Sequence, residues 1–132
     1  MTLLIQKFGG TSLGSIERIK AVAQRIKSTK EKGNDLLVVV SAMGHSTDEL
    51  TKLASEITLH APQREMDMLL STGEQVSISL LTMALNELGI PAISLTGTQA
   101  GIITESAHGR ARILEIRTER IKNLLEQGKT IV

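Results

Sequence analysis

The stretch LLIQKFGGTSLGS, residues 3–15, decides the fold of this chain. It begins with an apolar run, Leu3–Ile5, which predicts a short buried strand. It ends at Ser15, a favourable N-cap for a helix whose apolar residues recur at intervals of three and four. A lysine and a glycine pair stand between the strand and the helix. A strand followed by a glycine turn and a helix is typical of an α/β domain.

The composition fits one domain with a sizeable core. The chain has 132 residues, of which 41% are hydrophobic and 22% are charged, as is ordinary for a globular protein. It contains one Phe, no Trp and no Tyr, so aliphatic side chains must build the core and no aromatic platforms exist for stacking bases. The formal net charge of +1 gives no electrostatic footprint for DNA or RNA. We therefore expect no nucleic-acid partner.

Cysteine usage and hydropathy suggest the compartment. The absence of cysteine excludes disulfides and thiolate zinc sites and fits a reducing cytoplasm. No run approaches the roughly 18 apolar residues of a membrane span, and Met1 opens no basic-then-apolar leader. His45, His60 and His108 lack the spacing of metal ligands. We expect a cytoplasmic protein with no membrane partner and no metal site in this chain.

The middle of the chain alternates strand and helix patterns. The apolar run Leu36–Val40 predicts a strand buried on both faces, as in a parallel sheet with helices on each side. A helical stripe follows from Ser46 to Ile57, and a second begins at Pro62. The stretch STGEQ, residues 71–75, is expected to interrupt this second helix at Gly73.

The last third of the chain contains fewer regular elements. Ala92–Leu95 predicts a short strand, Ile102–Arg112 an irregular stretch, and a final helix is expected to end at Gly128. The order β-α-β-α-α-β-α-β predicts an α/β fold, a three-layer α-β-α sandwich with a mostly parallel sheet. The β-branched residues Thr130–Val132 predict a further buried strand. Since a domain rarely ends inside such a strand, we expect residues 1–132 to be the N-terminal portion of a longer domain.

Three loops have the position and composition of a ligand site. They are Lys7–Ser15, Ser41–Thr47 and Gly97–Gly101, and each follows a predicted strand. In open α/β sheets, ligands bind outside the carboxyl ends of the strands. We therefore expect these loops to meet at one edge of the sheet.

The first loop has the groups that bind phosphate. Gly9 and Gly10 would let backbone amides approach phosphate oxygens, Lys7 supplies a positive charge, and Thr11 and Ser12 supply hydroxyl donors. The loop matches neither the Walker A motif nor the Gly-x-Gly-x-x-Gly fingerprint. On composition alone, a plain strand-to-helix turn remains an equal alternative.

Four motifs in this order resemble the aspartate kinases of the amino acid kinase family. They are KFGGTS at residues 7–12, VVVSAMG at 38–44, STGEQ at 71–75 and GTQAGI at 97–102. The resemblance implies transfer of the γ-phosphoryl group of ATP to the β-carboxylate of L-aspartate, giving 4-phospho-L-aspartate. This is the first step towards lysine, threonine and methionine. ATP and L-aspartate are the implied small-molecule partners, and Mg²⁺ is the implied metal.

The same resemblance assigns roles to residues of this chain. Lys7 is implied to be catalytic and to touch the transferring phosphoryl group. The implied phosphate-binding residues are Lys7, Phe8, Gly9, Gly10 and Ser12, and the implied aspartate-binding residues are Ser41, Ala42, Thr47 and Glu74. Glu74 would accept hydrogen bonds from the α-ammonium group of aspartate.

Structural alternatives remain for the three most specific assignments. Lys7 alone could be a surface lysine at a strand end. Ser46 and Thr47 could cap the following helix, and Glu74 could improve the dipole of a helix that starts near Thr72.

The resemblance also implies what lies outside these 132 residues. The nucleotide-base site, the Mg²⁺ ligands, an arginine for the substrate α-carboxylate, a further catalytic lysine and regulatory ACT domains are all expected downstream. We therefore expect the fragment alone to be inactive and the full-length protein to form a homo- or hetero-oligomer. The alternatives are another family member acting on glutamate or acetylglutamate, and a non-catalytic α/β ligand-binding module.

Overall fold

The elements on either side of the glycine turn lie where the sequence predicts them. A computed structural model describes residues 2–132. In chain order its elements are β1 Leu3–Phe8, a 3₁₀ helix Gly10–Leu13, α1 Ile16–Glu31, β2 Asp35–Val40, α2 Ser46–Ile57, α3 Gln63–Glu87, β3 Ala92–Ile93, β4 Ile102–Thr104, β5 Ile113–Ile116, α4 Glu119–Glu126 and β6 Thr130–Ile131. The Ser15 side chain accepts a hydrogen bond from the amide of Arg18, which confirms the predicted N-cap of α1.

Four strands form one parallel sheet in the order β1-β2-β6-β3. The last strand in the chain, β6, therefore lies between β2 and β3. Lys7 is paired with Val39, and Leu37 with Ile131. The predicted parallel sheet and the strand at Thr130–Ile131 are both confirmed.

Helices pack on both faces of this sheet. On one face, α1 and α3 form a core of fully or nearly fully buried aliphatic side chains: Ile19, Ile26, Leu36, Val38, Leu81 and Leu85. On the other face, Leu124 of α4 packs with Leu95 and Ile131. Burying each large aliphatic side chain contributes about 1.5–3 kcal/mol. This arrangement confirms the mixed α/β fold with a helix layer on each side.

The second face is covered only in part by the described residues. Leu3, Ile5 and Val39 are 49%, 66% and 45% exposed. Successive strand residues point to opposite faces, so these three lie on the face of α4, beyond its reach. The expected strands at Leu3–Ile5 and Leu36–Val40 are confirmed, but the expected burial of Leu3–Ile5 and of both faces of Leu36–Val40 is wrong.

Helix α3 runs through Gly73 without interruption, so the expected break there is wrong. A glycine inside a helix costs only about 1 kcal/mol relative to alanine, which the packing of a 25-residue helix outweighs. Gly73 is buried, and a Cβ on it would lie 3.1 Å from the Cβ of Ala42. The glycine therefore serves close packing.

Within residues 2–132, α3 alone is long and apolar enough to cross a membrane by length and composition. The sequence reading expected no such segment. A helix in the core of a globular protein passes the same test, and Leu81 and Leu85 of α3 are fully buried against the sheet.

A β-hairpin occupies much of the stretch that was expected to be irregular. Strands β4 and β5 pair antiparallel with a register shift near Thr104. At the hairpin tip, His108 Nδ1 lies 3.0 Å from Asp67 Oδ2, and the amide of Gly109 donates to the same oxygen at 3.0 Å. The strands are three and four residues long, too short for a clear alternating pattern in the sequence.

Candidate functional site

The first loop does not lead directly from strand to α-helix. Gly9 is extended, and a 3₁₀ helix follows from Gly10 to Leu13 before α1 begins at Ile16. The amides of the glycine turn therefore stand at the start of this short helix and not at that of α1. A Cβ on Gly9 would meet nothing within 4 Å, so the backbone is open to an approaching ligand at this residue.

An arginine from α1 braces the 3₁₀ helix. The guanidinium of Arg18 donates through Nη1 to the carbonyl oxygen of Thr11 at 2.6 Å. The amide of Gly14 donates to the same carbonyl at 3.3 Å. The 3₁₀ helix is thus tied to the first turns of α1.

The first and second loops are bonded to one another. The amide of Ser41 donates to the carbonyl of Phe8 at 3.2 Å, and that of Gly44 donates to the carbonyl of Gly10 at 3.0 Å. A Cβ on Gly10 would lie only 2.9 Å from the carbonyl oxygen of Ala42. The neighbouring loop is therefore a sufficient reason for glycine at residue 10, beside the access to phosphate that the sequence suggests.

The second loop in turn rests on the middle of α3. Ala42 packs against Gly73, and the hydroxyl of Ser77 donates to the carbonyl of Ser41 at 2.7 Å. Glu74 lies between these two contacts along the helix, with its side chain exposed. Three segments that are distant in sequence, the glycine turn, the Ser41 loop and the Glu74 turn, therefore lie side by side.

A cavity of about 400 Å³ opens beside the Glu74 turn. Strand β2 contributes Leu37 and Val39, α3 contributes Glu74, and the third loop contributes Gly97 and Ala100. The lining residues are mostly aliphatic, and the Glu74 carboxylate is the one acidic group among them. Such a cavity suits a ligand that presents a positive charge to Glu74.

Lys7 lies on the side of the sheet that faces this cavity. It is paired with Val39, and directly paired residues in a sheet point to the same face. The Lys7 side chain is exposed, and within the described part of the chain it forms no ion pair. Its charge is therefore open to an external anion.

Of the predicted site residues, Glu74 alone lines this cavity. Thr47 is the second residue of α2 and is exposed. No side chain caps α2, which begins after His45, so the alternative that Ser46 and Thr47 serve as caps is wrong. Glu74 lies in mid-helix, so its alternative role in a first helical turn is also wrong.

Two residues that make contacts near the site, Ser77 and Arg18, were not predicted from the sequence. Ser77 follows Gly73 by four residues, and this spacing on an otherwise apolar helical stripe is a signal that could have identified it. The contact of Arg18 with Thr11 has no comparable signal, because it depends on the path of the 3₁₀ helix.

No three His, Asp or Glu side chains in residues 2–132 form a group that could hold a metal ion.

The fold is that of an α/β protein in which the loops after β1 and β2 meet at the carboxyl edge of a parallel sheet. The sequence model of the amino acid kinase family matches residues 2–132. The chain belongs to that family.

The similar proteins compared below are longer than this chain. The aspartokinase of Bacillus sp. (strain MGA3) is 63% identical over 132 residues, which are 100% of this chain and 32% of that protein. The crystal structure of aspartate kinase from Synechocystis superposes with a TM-score of 0.85 at 58% identity, covering 100% of this chain and 21% of that one. E. coli aspartokinase III in complex with aspartate and ADP gives a TM-score of 0.78 at 20% identity, covering 99% and 40%. The chain thus spans about a third of the length of the curated relatives it matches.

Proposed function

We propose that this chain is the N-terminal part of an aspartate kinase, which transfers the γ-phosphoryl group of ATP to the β-carboxylate of L-aspartate. One observation carries the proposal. The Ser41 loop is bonded to the glycine turn on one side and to the Glu74 turn on the other, in a chain 63% identical to an aspartokinase. The pathway is then that of lysine, threonine and methionine synthesis, and the compartment is the cytoplasm.

The phosphoryl side of the proposed site must overcome charge repulsion. Two unit negative charges 4 Å apart repel by about 4 kcal/mol at an effective dielectric constant near 20. Lys7 would neutralise part of the charge on the transferring phosphoryl group, and the amides of Gly9 and Gly10 would donate to its oxygens. Phe8 would contribute its backbone and Ser12 its hydroxyl. A donor group of this kind contributes about 3 kcal/mol to lowering the barrier.

The acceptor side must fix an amino acid by its charged groups. Glu74 would bind the α-ammonium group of aspartate, with charge-assisted hydrogen bonds worth about 1.5–3 kcal/mol each. Ser41 and Ala42 would line the pocket beside it, and Thr47 would reach it from the start of α2. The β-carboxylate would then point towards the glycine turn, to which the Ser41 loop is hydrogen-bonded.

The whole enzyme requires more than these residues. Phosphoryl transfer from ATP uses Mg²⁺ to neutralise phosphate charge, and residues 2–132 contain no group of three His, Asp or Glu side chains that could hold a metal ion. The Mg²⁺ ligands, the adenosine site, the regulatory ACT domains and the contacts of an oligomer would belong to other parts of the longer protein.

Acceptor-dependent ATP turnover by the full-length protein tests the proposal. We expect turnover with L-aspartate and none with glutamate or N-acetylglutamate. Turnover with glutamate alone would reassign the protein within the family, and the absence of turnover with all three acids would favour a binding module.

A single substitution tests the role of Glu74. Because Glu74→Ala removes the partner of the α-ammonium group, we expect the KM for aspartate to rise at least about tenfold, equivalent to 1.4 kcal/mol. Steady-state kinetics would measure it. Glu87→Ala, an exposed glutamate at the far end of α3, is the matched control and should leave the KM unchanged. An unchanged KM in Glu74→Ala would remove Glu74 from the acceptor site.

A further inference from the structure

Ser77 makes a contact that a serine in a helix does not need. Its side chain is fully buried. The hydroxyl oxygen lies 2.7 Å from the carbonyl oxygen of Ser41 and 3.0 Å from that of Glu74. The bond to Glu74 is the local one that helical serines commonly make to the preceding turn. The shorter bond leaves the helix and joins a segment 36 residues away in sequence.

Other hydroxyls of α3 show what the local pattern alone looks like. Ser79 donates to Gln75 at 2.7 Å, Ser71 to Met68 at 2.9 Å and Thr72 to Leu69 at 2.6 Å. Each of these bonds stays within the helix. The local bond to the carbonyl of Glu74 would by itself satisfy the hydroxyl of Ser77. The additional bond to Ser41 therefore needs its own explanation.

The position of Ser77 on α3 supplies that explanation. Residues four apart lie on the same face of a helix, so Gly73 and Ser77 face the same neighbour. Gly73 admits the Cβ of Ala42 at close range, and Ser77 fixes the carbonyl of the preceding residue, Ser41. Two adjacent residues of the second loop are therefore seated on two successive turns of α3.

Glu74 is part of the same arrangement. Its carbonyl shares the hydroxyl of Ser77 with the carbonyl of Ser41. One buried hydroxyl therefore sets the distance between the backbone of the Ser41 loop and the helical turn that carries the Glu74 carboxylate.

We propose that Ser77 is a positioning residue for the acceptor site, holding the Ser41 loop and Glu74 at the spacing that the amino acid requires. This inference rests on the proposed function, because it takes Ser41 and Glu74 as the groups that contact the substrate. Ser77 itself touches neither substrate. Its hydroxyl acts through the two backbone carbonyls that it joins.

The test compares Ser77→Ala with Ser79→Ala in the full-length protein. Both variants delete a serine hydroxyl from α3, but only the first removes a bond to the second loop. For Ser77→Ala we expect the KM for aspartate to rise about tenfold, since the Ser41 loop loses its hydrogen bond to the helix that carries Glu74 and becomes free to shift against it. The KM for ATP should change less than about twofold, because the glycine turn follows β1, whose pairing with β2 does not involve Ser77. Ser79→Ala should leave both constants unchanged.

A structural role alone would give a different result. It would lower the melting temperature and raise both KM values together, which would overturn the proposal, as would an unchanged KM for aspartate. Ser77→Cys keeps a weak donor of similar size, so it serves if Ser77→Ala fails to fold. We expect a rise of roughly threefold in the KM for aspartate in that variant, and an unchanged value would again overturn the proposal. A wild-type protein without aspartate-dependent turnover would instead refute the proposed function.

Discussion

Ala42 is enclosed by two residues that lack a side chain. A Cβ on Gly10 would lie 2.9 Å from its carbonyl oxygen, and one on Gly73 would lie 3.1 Å from its Cβ. The glycines at residues 10 and 73 come from different motifs, yet both leave room for the same residue. Since Ala42 itself is 4% exposed, the backbone of the second loop is held at a fixed place between the turn and the helix.

Gly101 offers the sharpest test at the scale of one residue. Its φ of +96° favours glycine, and a Cβ there would overlap the carbonyl of Arg117. We expect Gly101→Ala to destabilise the full-length protein by about 2–4 kcal/mol, measured by thermal unfolding.

Gly97 is the matched control in the same loop. A Cβ on Gly97 would lie 4.0 Å from the nearest atom, Ile102 Cδ1, which is ordinary van der Waals contact. Gly97→Ala should therefore change the stability by less than about 1 kcal/mol. Equal effects of the two substitutions would contradict this account of the third loop.

Hairpin β4–β5 is held to the rest of the molecule mainly at its two ends. All four residues of β5 are exposed. At the base, the amide of Arg117 donates to the carbonyl of Gly101 at 2.8 Å. The Arg117 side chain donates a hydrogen bond to the Glu115 carboxylate, which raises the pKa of the Arg117 guanidinium. At the tip, a single carboxylate, that of Asp67, holds both His108 and Gly109. The hairpin therefore has few contacts that oppose its opening.

Removal of the Asp67 carboxylate should free the hairpin tip. Asp67→Ala deletes both bonds at once, and we expect trypsin to cleave after Arg110 or Arg112 roughly fivefold faster, as befits the loss of about 1 kcal/mol of local stability. Glu65→Ala is the control, since Glu65 forms an exposed ion pair with Arg64 on the same helix. Equal cleavage rates in the two variants would show that the tip is held by other contacts.

Regular elements could be predicted from the sequence where local chemistry determines them. The Ser15 cap and the apolar stripe through Ile26 specify α1, and both are as expected. The uninterrupted course of α3 could not be predicted, because the reason for Gly73 is a contact with Ala42, which is remote in sequence. The hairpin was missed for a similar reason, since its tip depends on Asp67 in another element.

The candidate site follows from the whole fold more than from any one motif. The carboxyl ends of parallel strands meet at one edge of a sheet, and this rule predicted that the loops after β1 and β2 come together. They do so through direct hydrogen bonds between their backbones. The rule says nothing about Ser77, because helix α3 reaches the site from outside the sheet.

The isolated 132-residue chain should not catalyse the reaction. It spans about a third of the length of its curated relatives and brings no metal-binding group together in its described residues. Phosphoryl transfer needs both substrates and the metal aligned. We expect no aspartate-dependent ATP turnover above background in a coupled assay, with the full-length protein as the positive control. Measurable turnover by the fragment would contradict the proposal that essential groups lie elsewhere.

The strand order has a consequence for how the chain assembles during translation. Within residues 2–132, strand β3 joins the sheet through β6 alone. Strands β1 and β2 pair with each other directly. They can therefore form their hydrogen bonds early, as soon as α1, which connects them, has been synthesised. Strand β3 can pair only after the ribosome has released the polypeptide beyond Ile131, because its partner in residues 2–132 is β6. Synthesis therefore divides this chain into a half that folds early and a half that closes late.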